Sequence, residues 1–121
     1  MKKILVVDDT KHLARGLSEV LEFEGFEARF AFDGLQAIAV MKTFVPDLVI
    51  TDLRMPKMDG FQLIAAIRND ETLKRIPIIV ITASVGPENR SKILDAGANL
   101  LVVKPFDEEK LIDIIKTLLD E

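Results

Sequence analysis

Short runs of aliphatic residues alternate along the chain with longer segments in which apolar residues recur every three or four positions. The short runs predict β-strands, and the longer segments predict amphipathic helices. The predicted strands are 3–7, 28–32, 48–52, 78–82 and 100–103. Three of the five are almost wholly aliphatic, which is typical of parallel strands that are buried on both faces.

Each predicted strand is followed by a helical segment with recognisable ends. Gly25 suits the C-terminal cap of the first helix, and Asp33 and Asp59 suit the N-terminal caps of the second and third helices. The fourth helix is expected to begin near Pro87 and the fifth near Asp107. The apolar positions that define the first three helices are Leu13, Leu17, Val20, Leu21, Leu35, Ile38, Met41, Phe61, Ile64 and Ile67.

This alternation of strands and helices predicts one α/β domain over residues 1–121, with helices on both faces of a parallel sheet. Right-handed crossovers then give a doubly wound, flavodoxin-like (βα)5 sandwich of three layers, with the expected strand order 2-1-3-4-5. A ligand site is expected outside the C-terminal ends of the strands, beside the first and third.

The composition of the chain excludes several classes of function. The 121 residues carry a formal net charge of -4, which disfavours direct binding of nucleic acid phosphates, and they include no cysteine, which excludes disulfides and thiolate metal sites. No apolar run approaches the roughly 18 residues of a membrane-spanning helix. We therefore expect a cytoplasmic protein that binds neither nucleic acid nor a membrane through this domain.

Polar residues end four of the predicted strands. Asp8 and Asp9 follow the first strand, Asp52 ends the third, Thr82 the fourth, and Lys104 follows the fifth. Parallel strands deliver these residues to one edge of the sheet, where three carboxylates repel one another and a single lysine does not neutralise them. Oxygen ligands of this kind favour Mg²⁺. The alternative is an acidic cluster that is neutralised by protonation or by Lys104 alone.

The same set of side chains suits phosphoryl transfer. Asp52 can attack phosphorus as a nucleophile, Mg²⁺ and Lys104 can neutralise the phosphoryl oxygens, and the Thr82 hydroxyl can donate a hydrogen bond to one of them. His12, the one histidine of the chain, is better explained as exposed helix surface than as a phosphate carrier or metal ligand.

Five motifs, in this order, resemble the receiver domain of two-component response regulators over essentially the whole chain. They are ILVVDD at 4–9, PDLVITDLRMPKMDG at 46–60, PIIVITA at 77–83, AGA at 96–98 and KPF at 104–106. The resemblance implies a signalling phosphoacceptor rather than a turnover enzyme.

The resemblance also implies roles for individual residues. Asp52 would accept the phosphoryl group from a sensor histidine kinase or a phosphotransfer protein. Asp9 would bind Mg²⁺, or Mn²⁺, with Asp8, Asp52 and the backbone carbonyl of Arg54 completing the protein part of the metal site.

Further implied features concern the phosphoryl group and its surroundings. Thr82 and Lys104 would hold the phosphoryl oxygens, and the bond between Lys104 and Pro105 would be cis. One position departs from the family pattern, because Leu101 stands where receivers commonly have Tyr or Phe. The Arg54 side chain is hypothesised to reach over the phosphoryl group and slow the attack of water.

Phosphorylation is expected to alter a surface formed by the fourth helix, fifth strand and fifth helix, where a downstream protein would bind. The apolar stripe of the fifth helix is broad enough to contribute, although core packing explains most of it; it comprises Leu111, Ile112, Ile114, Ile115, Leu118 and Leu119. The expected oligomeric state is a monomer or a weak phosphorylation-dependent dimer.

Other functions remain open at this level. The chain would also fit a phosphate-independent interaction module, or the receiver of a longer DNA-binding regulator. A haloacid dehalogenase-like phosphatase is disfavoured because Arg54 occupies the position of its second acid. A flavodoxin is disfavoured because DDTKH, at 8–12, replaces a phosphate-binding loop.

Overall fold

The computed structural model describes residues 1–83 and 86–120. It shows five strands and five helices that alternate along this part of the chain. The strands are β1 Lys3–Val7, β2 Glu27–Ala31, β3 Leu48–Thr51, β4 Ile78–Thr82 and β5 Leu100–Val103. The helices are α1 Lys11–Phe23, α2 Gly34–Met41, α3 Gly60–Arg68, α4 Pro87–Ala96 and α5 Glu108–Leu119.

The five strands form one parallel sheet in the order β2-β1-β3-β4-β5, which confirms the predicted topology. The register aligns the strand ends: Val7 of β1 pairs with Ala31 and with Thr51, and Thr82 of β4 pairs with Val103. All residues that follow the strands therefore emerge on one side of the sheet, which we call the carboxyl edge. The opposite side, where the strands begin, is the amino edge.

Two strands, β2 and β3, differ in their bounds from the sequence prediction. Strand β2 begins and ends one residue earlier than expected, and β3 ends at Thr51 rather than at Asp52. The Asp52 N–H still donates to the carbonyl oxygen of Val7 at 3.0 Å, so the ladder between β1 and β3 reaches Asp52 before the chain turns away. Asp52 is thus the first residue of a loop, but its backbone is fixed by the neighbouring strand.

Two layers of helices cover the sheet. Helices α1 and α5 pack on one face through a buried cluster that includes Leu21 and Ile115, and helices α2, α3 and α4 pack on the other through Met41, Ile64 and Ile93. Of the six residues of the apolar stripe of α5, four are buried and two are half-buried, as expected if core packing explains most of the stripe. No helix within residues 1–83 and 86–120 combines the length and the apolar character that a membrane span requires.

The predicted helix ends are confirmed in most cases. The Asp33 side chain accepts the Gln36 N–H, and Asp59 forms a capping box with Gln62 at the start of α3. Asp107 caps α5, and Pro87 begins α4.

Three apolar positions assigned to the helix pattern are more exposed than a core residue would be. Leu13, Leu35 and Phe61 have exposed fractions of 44%, 51% and 36%. All three lie in the first turn of their helices, beside the loops of the carboxyl edge rather than over the sheet. Helical spacing alone does not show where a helix extends past the sheet that it covers.

Candidate functional site

The carboxyl edge brings together the three predicted carboxylates. Asp8, Asp9 and Asp52 each offer an oxygen atom, and these atoms all lie within 4.8 Å of one another. Backbone hydrogen bonds between neighbouring strand ends hold Asp8 and Lys104 in place. Asp8 N–H donates to the Ala31 carbonyl at 3.1 Å, and Lys104 N–H donates to the Thr82 carbonyl at 2.8 Å. The site is therefore built on the sheet itself.

Lys104 lies between two of the three carboxylates. Its Nζ is 2.9 Å from Asp52 Oδ2 and 3.0 Å from Asp8 Oδ2, and the exposed fraction of its side chain is 21%. Burial alone would lower the pKa of the Lys104 ammonium, but the hydrogen bonds and negative charges of Asp52 and Asp8 outweigh burial and raise that pKa. The lysine is therefore a fixed positive charge shared by Asp8 and Asp52.

The second oxygens of these two carboxylates accept backbone N–H groups. Thr10 N–H donates to Asp8 Oδ1 at 2.9 Å, and Leu53 N–H donates to Asp52 Oδ1 at 2.6 Å. The sequence analysis did not identify these donors, because backbone groups carry no residue signature. Only the bond to Thr10 has a local signal, since an aspartate often accepts the N–H two residues later in a turn.

Asp9 differs from its two neighbours. Partial desolvation, followed by the negative charges of Asp8 and Asp52, raises the pKa of the Asp9 carboxyl. Because the residue as a whole is exposed, water weakens both effects, and a bound cation would offset the repulsion from the two carboxylates. Lys104 thus neutralises part of the cluster and leaves Asp9 as the acid that most needs a counter-charge.

Two cavities open onto the site from different sides. Asp9, Arg54 and Thr82 line one of about 620 Å³, whereas Asp8, Asp52 and Lys104 line another of about 650 Å³. Arg54 is exposed, while Thr82 is 6% exposed. The structure therefore brings all the predicted residues to one edge, but Thr82 and Lys104 face different cavities.

The donor set fits a hard divalent cation. Three carboxylates within reach of one another and a loop carbonyl are oxygen ligands, the type that Mg²⁺ binds. Within the part of the chain that the structure describes, no backbone N–H donates to the Arg54 carbonyl, so this oxygen remains free to act as an acceptor. This acidic group could hold a metal ion.

The loop after β3 is tightly anchored beside Asp52. Gly60 N–H donates to the Leu53 carbonyl at 2.8 Å, and a Cβ atom on Gly60 would collide with the Asp52 carbonyl oxygen. Glycine is therefore required at position 60 by space. The peptide bond between Lys104 and Pro105 is cis, as predicted.

Two other residues that the sequence analysis discussed lie outside the acidic group. His12 is exposed on α1, which agrees with its interpretation as helix surface. Leu101 is half-buried and packs against the buried cluster that contains Ile93 of α4. An aliphatic residue thus fills the position where receivers commonly have Tyr or Phe, as the sequence analysis noted.

Known proteins share the sequence pattern and the fold of this chain. The model of the response regulator receiver domain family matches residues 4–116. Among solved structures, the chemotaxis response regulator CheY4 of Vibrio cholerae has 33% sequence identity and a TM-score of 0.90, with 98% of each chain covered. A putative response regulator from Chloroflexus aurantiacus has 32% identity and a TM-score of 0.91, over 99% of this chain and 98% of that one.

Similar sequences also occur in proteins of different length. PilG of Pseudomonas aeruginosa is 32% identical over 114 residues, which are 94% of this chain and 84% of that protein. The DNA-binding dual master transcriptional regulator RpaA of Synechocystis is 34% identical over 98% of this chain, but the match spans only 49% of RpaA. The chain therefore spans about half of RpaA, and it spans 26% of the response regulator PleD of Caulobacter vibrioides.

Proposed function

Because the chain belongs to the response regulator receiver domain family, we propose that it is a phosphorylation-controlled switch in which Asp52 accepts the phosphoryl group. The observation that carries this proposal is the environment of the Asp52 carboxylate. It lies beside two further acids and within 2.9 Å of the Lys104 ammonium, at the end of a buried strand. A solvated strand end would need no such arrangement.

In the proposed reaction, one Asp52 carboxylate oxygen attacks phosphorus. The bond from oxygen to phosphorus forms as the bond from phosphorus to the donor breaks, and the bonding electron pair leaves with the donor group. Each Asp52 oxygen accepts one hydrogen bond in the structure, so each keeps a lone pair for attack. The donor would be the phosphohistidine of a sensor kinase or phosphotransfer protein.

The charge on the transferred group is the main electrostatic problem of this reaction. We propose that Asp8, Asp9, Asp52 and the Arg54 carbonyl would hold Mg²⁺, or Mn²⁺, which supplies positive charge beside the phosphoryl oxygens. Lys104 would donate to another phosphoryl oxygen. Its ammonium already contacts the carboxylates of Asp8 and Asp52, so it lies close to any group that is bound to Asp52.

Thr82 would couple the reaction to the rest of the domain. Its hydroxyl would donate to a phosphoryl oxygen from the cavity that it shares with Asp9. Helix α4 follows Thr82 after a short connection and has one buried residue, Ile93, so few contacts oppose a shift of this helix. Phosphorylation would thereby shift the balance between two arrangements of α4.

The surface formed by α4, β5 and α5 is the proposed binding site for a downstream protein. It carries exposed apolar side chains at Leu94, Leu100 and Val103, with exposed fractions of 41%, 37% and 44%. The proposed unit is a single receiver domain over 1–121 that acts in the cytoplasm as a monomer or a weak phosphorylation-dependent dimer. Matches that span part of longer proteins also support a receiver that works within a longer regulator.

Acceptor identity is tested by incubating the chain with a small phosphodonor, acetyl phosphate, and Mg²⁺. We expect one phosphoryl group per chain in the native protein and none in Asp52→Asn, measured by intact-protein mass spectrometry. Asp70→Asn is the matched control, because it removes a carboxylate from a turn outside the acidic group, and asparagine can still accept the Thr72 N–H. Labelling that persists in Asp52→Asn would refute the assignment.

A further inference from the structure

The loop that carries Arg54 contains a strained turn. Met58 N–H donates to the Pro56 carbonyl at 2.7 Å, and Lys57 between them has a φ of 67°. A hydrogen bond that spans three residues with a positive φ at the centre is a rare γ-turn, and a residue with a side chain adopts this φ at a cost. Such a turn persists only where surrounding contacts hold it.

The first residue of α2 supplies one of these contacts. Gly34 N–H donates to the Met58 carbonyl oxygen at 3.2 Å. A Cβ atom on Gly34 would lie 2.6 Å from Met58 Cγ and 2.8 Å from both Met58 Cβ and the Met58 carbonyl oxygen. The two backbones therefore touch at a distance that only glycine permits.

Backbone conformation does not explain this glycine. The φ of Gly34 lies outside the left-handed range, so alanine could adopt the same backbone angles. Gly34 is also buried and lies next to Asp33, which caps α2 through the Gln36 N–H. The contact with Met58 is thus the feature that the absent Cβ permits.

The Arg54 carbonyl lies between two anchors of this loop. Gly60 N–H holds Leu53 on one side of Arg54, and Gly34 N–H holds Met58 on the other. Met58 lies only four positions after Arg54, so a displacement of Met58 would change the orientation of the Arg54 carbonyl, whose residue lines the same cavity as Asp9.

We propose that Gly34 is a positioning residue of the metal site, which holds the strained turn at Met58 and thereby aims the Arg54 carbonyl at the cation. This inference rests on the proposed function, since it assumes that the Arg54 carbonyl is a metal ligand. It assigns a role in metal binding to the start of α2, which contributes no ligand itself.

The test is the Mg²⁺ affinity of Gly34→Ala, measured by isothermal titration calorimetry because the chain has no Trp or Tyr to report by fluorescence. We expect the dissociation constant to rise about tenfold, as for other residues that orient metal ligands. Gly16→Ala is the matched control, since a Cβ on this helical glycine would meet no atom within 4 Å, and its affinity should equal that of the native chain. A folded Gly34→Ala protein with native affinity overturns the proposal.

A double variant keeps the test decisive if Gly34→Ala does not fold. Gly34→Ala combined with Met58→Ala removes the contact at 2.6 Å and retains the contact with the Met58 carbonyl oxygen at 2.8 Å. We expect this protein to bind Mg²⁺ more weakly than Met58→Ala alone, and equal affinities would refute the positioning role. If the native chain itself does not bind Mg²⁺, the proposed function fails instead, so the two failures are distinguishable.

Discussion

At each edge of the sheet lies a cationic side chain that is partly shielded from water, Lys104 at the carboxyl edge and Arg68 at the amino edge, and the two are bound in different ways. At the carboxyl edge, Lys104 is shared by the carboxylates of Asp8 and Asp52. At the amino edge, Arg68 donates five hydrogen bonds to four neutral oxygens. These are the carbonyls of Lys74, Ile76 and Gly97 and the side chain of Asn99.

This difference separates a permanent connection from an exchangeable one. Burial lowers the pKa of Arg68, whereas the carboxylates raise that of Lys104. The Arg68 bonds join the end of α3 to the segments that precede β4 and β5. Most of the acceptors are backbone carbonyls, which belong to the chain itself and do not exchange with a ligand. The Lys104 contacts are charge pairs, so an incoming anion or cation can redistribute them. The amino edge is therefore expected to govern stability and the carboxyl edge to govern function.

The largest expected effect on stability is that of Arg68→Ala. The substitution leaves partly buried carbonyl oxygens without donors, and we expect the free energy of unfolding to fall by about 3 kcal/mol. Chemical denaturation measures this change. Mg²⁺ affinity should stay at the native value, and Arg68→Lys should lose less stability because it keeps one donor group. A loss below about 1 kcal/mol would contradict the structural role of Arg68.

A smaller effect is expected for Lys104→Met in the absence of metal. Removal of this ammonium leaves Asp8 and Asp52 beside each other without a counter-charge, which should lower the free energy of unfolding by about 2 kcal/mol. Added Mg²⁺ should restore more stability to this variant than to the native chain. Lys116→Met is the control, because its pair with Glu24 at 3.5 Å is exposed and should contribute almost nothing. Native stability of Lys104→Met in EDTA would refute the charge-sharing account.

Asp9→Asn is expected to change stability in the opposite direction. Without metal it should raise the free energy of unfolding at neutral pH by about 1 kcal/mol or less, because it relieves repulsion that water already screens. It should also weaken Mg²⁺ binding. Thermal denaturation in EDTA and calorimetric titration measure the two effects. A lower melting temperature in EDTA would contradict this prediction.

The same carboxyl predicts a pH dependence. Since the folded state raises the pKa of Asp9, it binds the Asp9 proton more tightly than the unfolded chain does. Stability from this group is therefore lost as pH rises from the usual aspartate pKa of about 3.9 to the raised value. Asp9→Asn should remove this part of the pH profile, whereas Asp70→Asn should retain it.

The smallest expected effect is that of Arg54→Ala, which should leave stability unchanged. If the exposed Arg54 side chain shields the phosphoryl group from water, the phosphorylated state should decay about fivefold faster, equivalent to about 1 kcal/mol in the barrier. The decay of the phosphorylated species after removal of the donor measures this rate. Arg75→Ala is the exposed control, and an unchanged lifetime in Arg54→Ala would refute the hypothesis.

The sequence predicted the fold well because its signals are local and repeated. Aliphatic strand runs, the caps at Asp33 and Asp59 and the start of α4 at Pro87 are each confirmed. Parallel topology then brought Asp8, Asp9 and Asp52 to one edge.

The features that escaped prediction depend on side-chain contacts between distant residues. Arg68 reaches a carbonyl 29 residues away and has neutral partners, so no charge pattern in the sequence points to it. From the sequence we expected that one lysine would not neutralise three acids, and the raised pKa of Asp9 agrees with this expectation. It did not reveal that Lys104 would bind both of the others, because that choice depends on distances of about 3 Å that only the packed structure defines.

The metal dependence of phosphorylation tests the central claim most directly. The native chain is incubated with acetyl phosphate in Mg²⁺ or in EDTA, and peptide mass spectrometry counts and locates the phosphoryl groups. We predict one group per chain, on Asp52, in Mg²⁺ and almost none in EDTA, because without the cation the negative phosphoryl oxygens would approach three carboxylates with only Lys104 to offset them. Equal labelling under both conditions, or labelling on another residue, would contradict the account of the carboxyl edge as a metal-dependent phosphoacceptor site.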